Sequence, residues 1–262
     1  MKHTLKVTLI LVVLFLLSHL IGLFIVSEYV DTGELPYGIE RPEIEENTSY
    51  LPIIIAVLLA SGIFLLLMKF NAVKIWKIWF IFATVYLLGI AFSALVSSIV
   101  ALGIALVLGL LKFYKPNMIV HNFTELFIYS GIAAIFAPMM SILAVSILLI
   151  LISIYDAIAV WKTKHMVKMA KFHAKANMFA GLLVPYGKNK NALLGGGDIG
   201  FTLLFSGVVF IKLGLVAAII TSLMTTLALF LLFIYSKKDR FYPAMPFLSA
   251  GCFLGLLIAF LI

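Results

Sequence analysis

The chain has 262 residues, 64% hydrophobic and only 11% charged, with a net charge of +8 and a mean hydropathy of +1.21. A soluble domain carries about 25% charged residues, so a soluble enzyme, a DNA-binding protein and a disordered scaffold are excluded. The basic excess lies in short loops beside apolar runs, where membrane orientation explains it and nucleic acid is not needed. Cys252, the single cysteine, sits in an apolar run and cannot form an internal disulfide.

Residues 7–26 form the first apolar run. It is longer than a secretory signal core, and Ser27, Glu28 and Tyr29 offer no small-residue cleavage site, so it reads as a first transmembrane helix. Residues 27–50 are polar, with seven acids against Arg41 alone, and Pro36, Gly38 and Pro42 mark them as loop. Residues 52–68 are the second span. Residues 78–111 carry no charge and are too long for one perpendicular helix; a division near 92–97 gives the third and fourth. Residues 126–161, broken at Pro138, give the fifth and sixth. Residues 192–234, broken near Lys212, give the seventh and eighth, and residues 243–262 the ninth.

Nine spans with a cytoplasmic N-terminus and an external C-terminus place every Lys and Arg except Arg41 and Lys212 on the cytoplasmic side, and the acidic loop outside. Either eight-span division misplaces the 162–190 loop or the 237–240 turn. The fold class is therefore all-α, a polytopic membrane protein. Its parts are spans one to six (1–161), a basic cytoplasmic loop (162–190) and spans seven to nine (191–262). Within the loop, Lys164, Lys168, Lys171 and Lys175 fall on one helical stripe. An amphipathic extension of span six lying on anionic lipid accounts for them; a role in receiving substrate is the alternative.

Two acids interrupt apolar helices. Asp156 and Asp198 each cost about 2.5–3.5 kcal/mol if ionised at the bilayer centre. Asp156 lies six residues before the inner border at Lys162, about 9 Å along a helix, and Asp198 eight residues after Lys190, at most about 12 Å. On adjacent antiparallel spans they can face one another at similar depth. A facing pair cannot hold two charges in low dielectric and shares one proton. One carboxylate can then act as base on a water while the other, protonated, donates to a carbonyl. Gly195, Gly196 and Gly197 before Asp198 clear side chains from the backbone and let another segment approach. Tyr155 offers a hydroxyl beside Asp156. Pro243, Ala244, Met245 and Pro246 disrupt the start of the ninth span and leave backbone groups free.

Tyr155 and Asp156, then Gly195 to Asp198, then Pro243, Ala244 and Met245 resemble, in order, the YD, GxGD and PAL motifs of the presenilin and signal peptide peptidase family. The chain looks like a short microbial, presenilin-like member. The resemblance is close over spans six to nine; over the first five only count and orientation match. It implies a nine-helix intramembrane aspartyl protease with Asp156 and Asp198 as catalytic pair. Pro243, Ala244 and Met245 would shape the site, and transmembrane-helix proteins in the lipid bilayer would be its substrates. Met245 departs from the family's Leu, a swap of similar volume. The resemblance further implies that an extended substrate segment pairs with backbone near the seventh span. Leu182, Leu183 and Val184, or Ala192, Leu193 and Leu194, are the candidates for such strand addition.

No metal or organic cofactor, nucleic acid or accessory subunit is required by this chemistry, and oligomeric state is open. The residues also have plainer readings. The glycine triplet alone signals helix packing, the prolines alone a span start, and an isolated buried Asp a hydrogen bond to a neighbouring helix. His19 reads as an internally bonded polar residue, Lys212 as snorkelling to the outer interface, and Glu125 as an inner-border acid. Asn47 heads a glycosylation sequon of a kind frequent by chance, and Trp76, Trp79 and Trp161 read as interfacial aromatics. A prepilin-type leader peptidase shares a GxGD, but it usually has a Lys soon after, where this chain has Ile199, Gly200 and Phe201. A proton-coupled transporter or cation leak could use the same two acids; no inverted repeat supports it.

Overall fold

The computed structural model describes residues 4–30, 34–41, 43–70, 72–162, 179–186, 190–236 and 242–262. Nine α-helices run through them: α1 (Leu5–Val30), α2 (Tyr50–Lys69), α3 (Val73–Ser93), α4 (Ser98–Tyr114), α5 (Met118–Phe136), α6 (Ile142–Ala157), α7 (Gly196–Leu213), α8 (Leu215–Tyr235) and α9 (Met245–Leu261). Seven are long and apolar enough to cross a membrane. α4 and α9, at 17 residues each, stand at the short end of the range for a span. This is a polytopic helical membrane fold. The lysine stripe of the 162–190 loop and the 237–240 turn lie outside the described residues.

The helix breaks have local causes. Ala137–Met139, containing Pro138, forms a 3-10 turn between α5 and α6, because proline cannot donate to the helical ladder. α7 ends and α8 begins at Gly214, whose φ of 90° suits glycine. α5 starts at Met118, eight residues earlier than the apolar run at 126 indicated. Asn117 caps it by accepting from the Ile119 N–H at 2.8 Å, and its first turns carry the polar residues His121, Asn122, Thr124 and Glu125. Their partners lie elsewhere in the chain, so hydropathy alone misses this stretch.

The seventh span also starts later than 192. Residues 190–195 are strand, not helix: β1 (Gly181–Tyr186) and β2 (Lys190–Gly195) form an antiparallel hairpin with Gly181 opposite Gly195 and Leu183 opposite Leu193. α7 follows β2 directly.

Close helix contact uses small residues. A Cβ on Gly251 would lie 2.8 Å from Ala228 Cβ and 2.9 Å from the Met224 carbonyl, and one on Gly255 would meet Thr221 backbone. The spacing from Gly251 to Gly255 thus lets α9 settle on the backbone of α8. On α8, Thr221 and Thr225 return their hydroxyls to the carbonyls of Ala217 and Thr221, both at 2.8 Å, so their burial leaves no stranded donor. α2, by contrast, turns most of its leucines outward, Leu58, Leu59 and Leu66 among them, as a span with little helix contact would in lipid.

Candidate active site

Asp156 occupies the last turn of α6, immediately before a single π-helical turn, Ile158–Lys162. Such turns recur at functional sites because they re-aim the residues beside them. The aspartate is buried, 7% exposed. Its Oδ2 accepts the backbone N–H of Met245 at 3.1 Å. That N–H is available because Met245 opens α9, and the first N–H groups of a helix have no partner within it. The helix start also presents the positive end of its dipole to the carboxylate. One turn earlier on α6 and one turn later on α9, Ser153 Oγ and Ser249 Oγ meet at 2.8 Å, a second tie between the two helices.

Asp198 stands in the first turn of α7, half-buried. Its Oδ2 lies beside Gly195, and α7 packs against α6, the helix that carries Asp156. Asp156, Asp198 and Met245 are thus gathered where the end of α6 and the starts of α7 and α9 converge. Pro243 is buried and Ala244 half-buried beside them.

The glycine triplet divides. A Cβ on Gly195 would fall 3.1 Å from Asp198 Oδ2, and one on Gly196 about 3.0 Å from two ring carbons of Tyr129. Gly197 has only the Phe201 ring in ordinary contact, at 3.8 Å, and is exposed. Close packing therefore explains Gly196, while a Cβ on Gly197 would be accommodated beside the Phe201 ring. Tyr155 points its hydroxyl to Ser61 Oγ on α2, at 3.0 Å, where it ties α6 to α2.

The hairpin packs against α5 and leads into α7. Its ladder leads into α7 through the Gly196 N–H, which donates to the Ala180 carbonyl at 3.1 Å. On the outer edge of β1, Asn122 Nδ2 donates to the Leu183 carbonyl at 2.8 Å and its Oδ1 accepts the Leu183 N–H at 2.9 Å. His121 Nε2 donates to the Gly181 carbonyl at 2.8 Å, and Glu125 Oε2 accepts the Gly181 N–H at 2.8 Å. Glu125 also pairs with Lys112 and accepts the Tyr129 hydroxyl. It is 1% exposed and Lys112 4%, so the inner-border reading of Glu125 is replaced by a buried, hydrogen-bonded ion pair. Sequence reasoning missed His121, Asn122, Glu125 and Tyr129. The one available signal was four polar residues, 121, 122, 124 and 125, at the foot of an apolar helix.

His19 is buried, and its Nδ1 donates to the Phe15 carbonyl at 3.1 Å, an internal bond as its place in an apolar helix suggests. Lys212 pairs with Glu46 of the acidic loop at 2.8 Å, so it is neutralised within the chain as well as lying near the far end of α7.

The family model described as signal-peptide peptidase, presenilin aspartyl protease matches residues 12–191; the match stops short of Gly195. No curated protein matches. Two structures of a presenilin family intramembrane aspartate protease, in C222 and P2 crystal forms, superpose with TM-scores of 0.68 and 0.67 at 20% and 22% identity. They cover 97% and 98% of this chain, and the chain covers 98% and 97% of theirs.

Proposed function

The chain belongs to the signal-peptide peptidase and presenilin aspartyl protease family, and on that premise we propose that it is a GxGD-type endopeptidase that cuts transmembrane helices within the bilayer. Asp156 and Asp198 share the chemistry: one carboxylate takes a proton from water as the water attacks the scissile carbonyl, and the other, protonated, donates to the carbonyl oxygen. The observation that carries this reading is the convergence of the end of α6, which carries Asp156, with the starts of α7, which carries Asp198, and α9, whose Met245 N–H donates to Asp156. A structural acid needs a partner; it does not need a second acid beside it.

A helical substrate hides its carbonyls in its own hydrogen bonds, so the segment to be cut must first become extended. The hairpin supports strand addition as the means, and its hydrogen bonding favours one edge. Backbone groups alternate sides along an antiparallel strand. Since Gly181 and Leu183 are engaged by α5, the groups of β1 that face β2 belong to Leu182 and Val184. The outward groups of β2 then belong to Asn191 and Leu193, and Leu193 is 38% exposed. Of the two candidate stretches, 192–194 therefore receives the substrate strand and 182–184 supports it from behind. Gly197, which is exposed and carries no side chain, leaves room for the incoming backbone.

In this reading the N-terminus faces the cytosol and the C-terminus the outside. Basic residues beside the hairpin end, and the acidic loop at the opposite end near Lys212, support that orientation. Carboxylates, water and positioned backbone suffice for the reaction, with no cofactor or accessory subunit.

The test is a reconstituted assay: purified chain in lipid vesicles with single-span peptides in both orientations, products identified by mass. Cleavage inside the spanning segment is expected. Ion flux without any cleavage would favour transport by the same acids. Hydrogen exchange with a bound peptide should show new protection at the Leu193 amide, and unchanged exchange there would count against addition to β2.

A further inference from the structure

A two-stranded hairpin is marginal by itself, and a strand slips register unless something holds one face or edge. Here the outer edge of β1 is held by side chains of α5. The carboxamide of Asn122 meets both backbone groups of Leu183, donor to carbonyl and acceptor to N–H, at 2.8 and 2.9 Å. That is the pair of bonds a third strand would make with that residue. His121 and Glu125 do the same for the carbonyl and N–H of Gly181. The next outward position on β1 is Pro185, opposite Asn191, which has no N–H to satisfy.

The holders are themselves anchored. A buried ion pair loses more by desolvation than it gains unless its remaining valences are filled. Glu125 fills its own by accepting from Lys112, from the Tyr129 hydroxyl and from the Gly181 N–H. Tyr129 then lies where a side chain at Gly196 would be, two residues from Asp198. Polar contacts thus run from the edge of β1 through Glu125 to Tyr129, whose ring packs on Gly196 at the start of the helix that carries Asp198.

We propose that Asn122, with His121 beside it and Glu125 and Tyr129 beneath, is a positioning group: it stands in for a strand at the edge of β1, fixes the hairpin against Asp198, and so sets which peptide bond of the substrate strand is cut. The proposal rests on the proteolytic reading for its last clause only. It has a physical advantage over a bare hairpin. With the β1 edge occupied from the start, an incoming strand has one edge open to it, and a substrate residue paired with Leu193 always stands at the same distance from the acids.

Two measurements on the full-length chain test it. In the first, hydrogen exchange without substrate compares the native protein with Asn122→Ala. The Leu183 amide should exchange about tenfold faster in the variant, the loss of one or two hydrogen bonds; equal exchange would overturn the proposal. In the second, product masses from one transmembrane peptide are compared. The native chain should give a dominant cut, and Asn122→Ala a spread of cuts displaced along the substrate. Asn122→Gln, which keeps the carboxamide on a longer stem, should restore the native pattern in part. An unchanged product pattern in Asn122→Ala, whatever its rate, would overturn the proposal. If that variant does not fold, His121→Ala frees the Gly181 carbonyl alone and is measured in its place: displaced cuts support the proposal and an unchanged pattern overturns it. Absence of cleavage by the native chain would remove the proteolytic reading and the choice of cut with it, while the exchange result would still decide whether the strand edge is held.

Discussion

Gly196 and Gly197 are adjacent, yet they lack side chains for different reasons. Gly196 is packed against the Tyr129 ring, whereas Gly197 is exposed and a Cβ there would make only ordinary contact with the Phe201 ring. Gly196→Ala should push Tyr129 from Glu125 and lower stability by about 1–3 kcal/mol, the usual range for overpacking, measurable by thermal unfolding. Gly197→Leu should leave the unfolding temperature unchanged and cut turnover about tenfold or more, because its side chain occupies the path of the substrate backbone. Unchanged turnover would mean that nothing passes there. The acids themselves predict a bell-shaped pH profile. At low pH both carboxyls are protonated and no base remains; at high pH both are ionised and no acid remains. A flat rate from acid to neutral pH would contradict a shared proton.

At the scale of elements, the breaks between spans were legible from Pro138 between α5 and α6, from Lys212 near the end of α7, and from the length of the charge-free run that α3 and α4 share; the structure adds Gly214 as the turn between α7 and α8. The start of α5 and the hairpin were not. Both depend on bonds between residues far apart in sequence, such as Asn122 to Leu183 and Glu125 to Gly181, and hydropathy reads only neighbours. The 182–184 and 192–194 stretches were singled out only through the family resemblance, as alternatives for receiving a substrate strand, and their pairing with each other was not legible. α9 carries its own prediction. Its contact with α8 through Gly251 holds the Met245 amide where Asp156 can use it. Gly251→Leu should therefore lower stability by about 1–3 kcal/mol and turnover together, read by thermal unfolding and by the peptide assay. Loss of stability with full turnover would separate the packing from the site.

Across the whole molecule, polarity is sorted along the helix axes. The hairpin, the Lys112 and Glu125 pair, Asp156 and Asp198 gather toward one end of the bundle, and the Glu46 and Lys212 pair sits at the other. Composition announced a membrane protein, and charge sorting indicated which loops share a side. The reckoning that set Asp198 eight residues of helix above Lys190 does not hold, because residues 190–195 are strand and Asp198 stands in the first turn of α7. The backbone donor beside Asp156 was not legible, because Met245 reaches it across 89 residues. What unites these scales is the proposed division of one reaction between two carboxyl groups. The most direct measurement is turnover of a single transmembrane peptide by the reconstituted native chain, by Asp156→Ala and by Asp198→Ala, each first shown to unfold at the native temperature. Each substitution alone should lower the rate by about 10²–10⁴-fold. Cleavage that continues at the native rate in either variant would contradict the account.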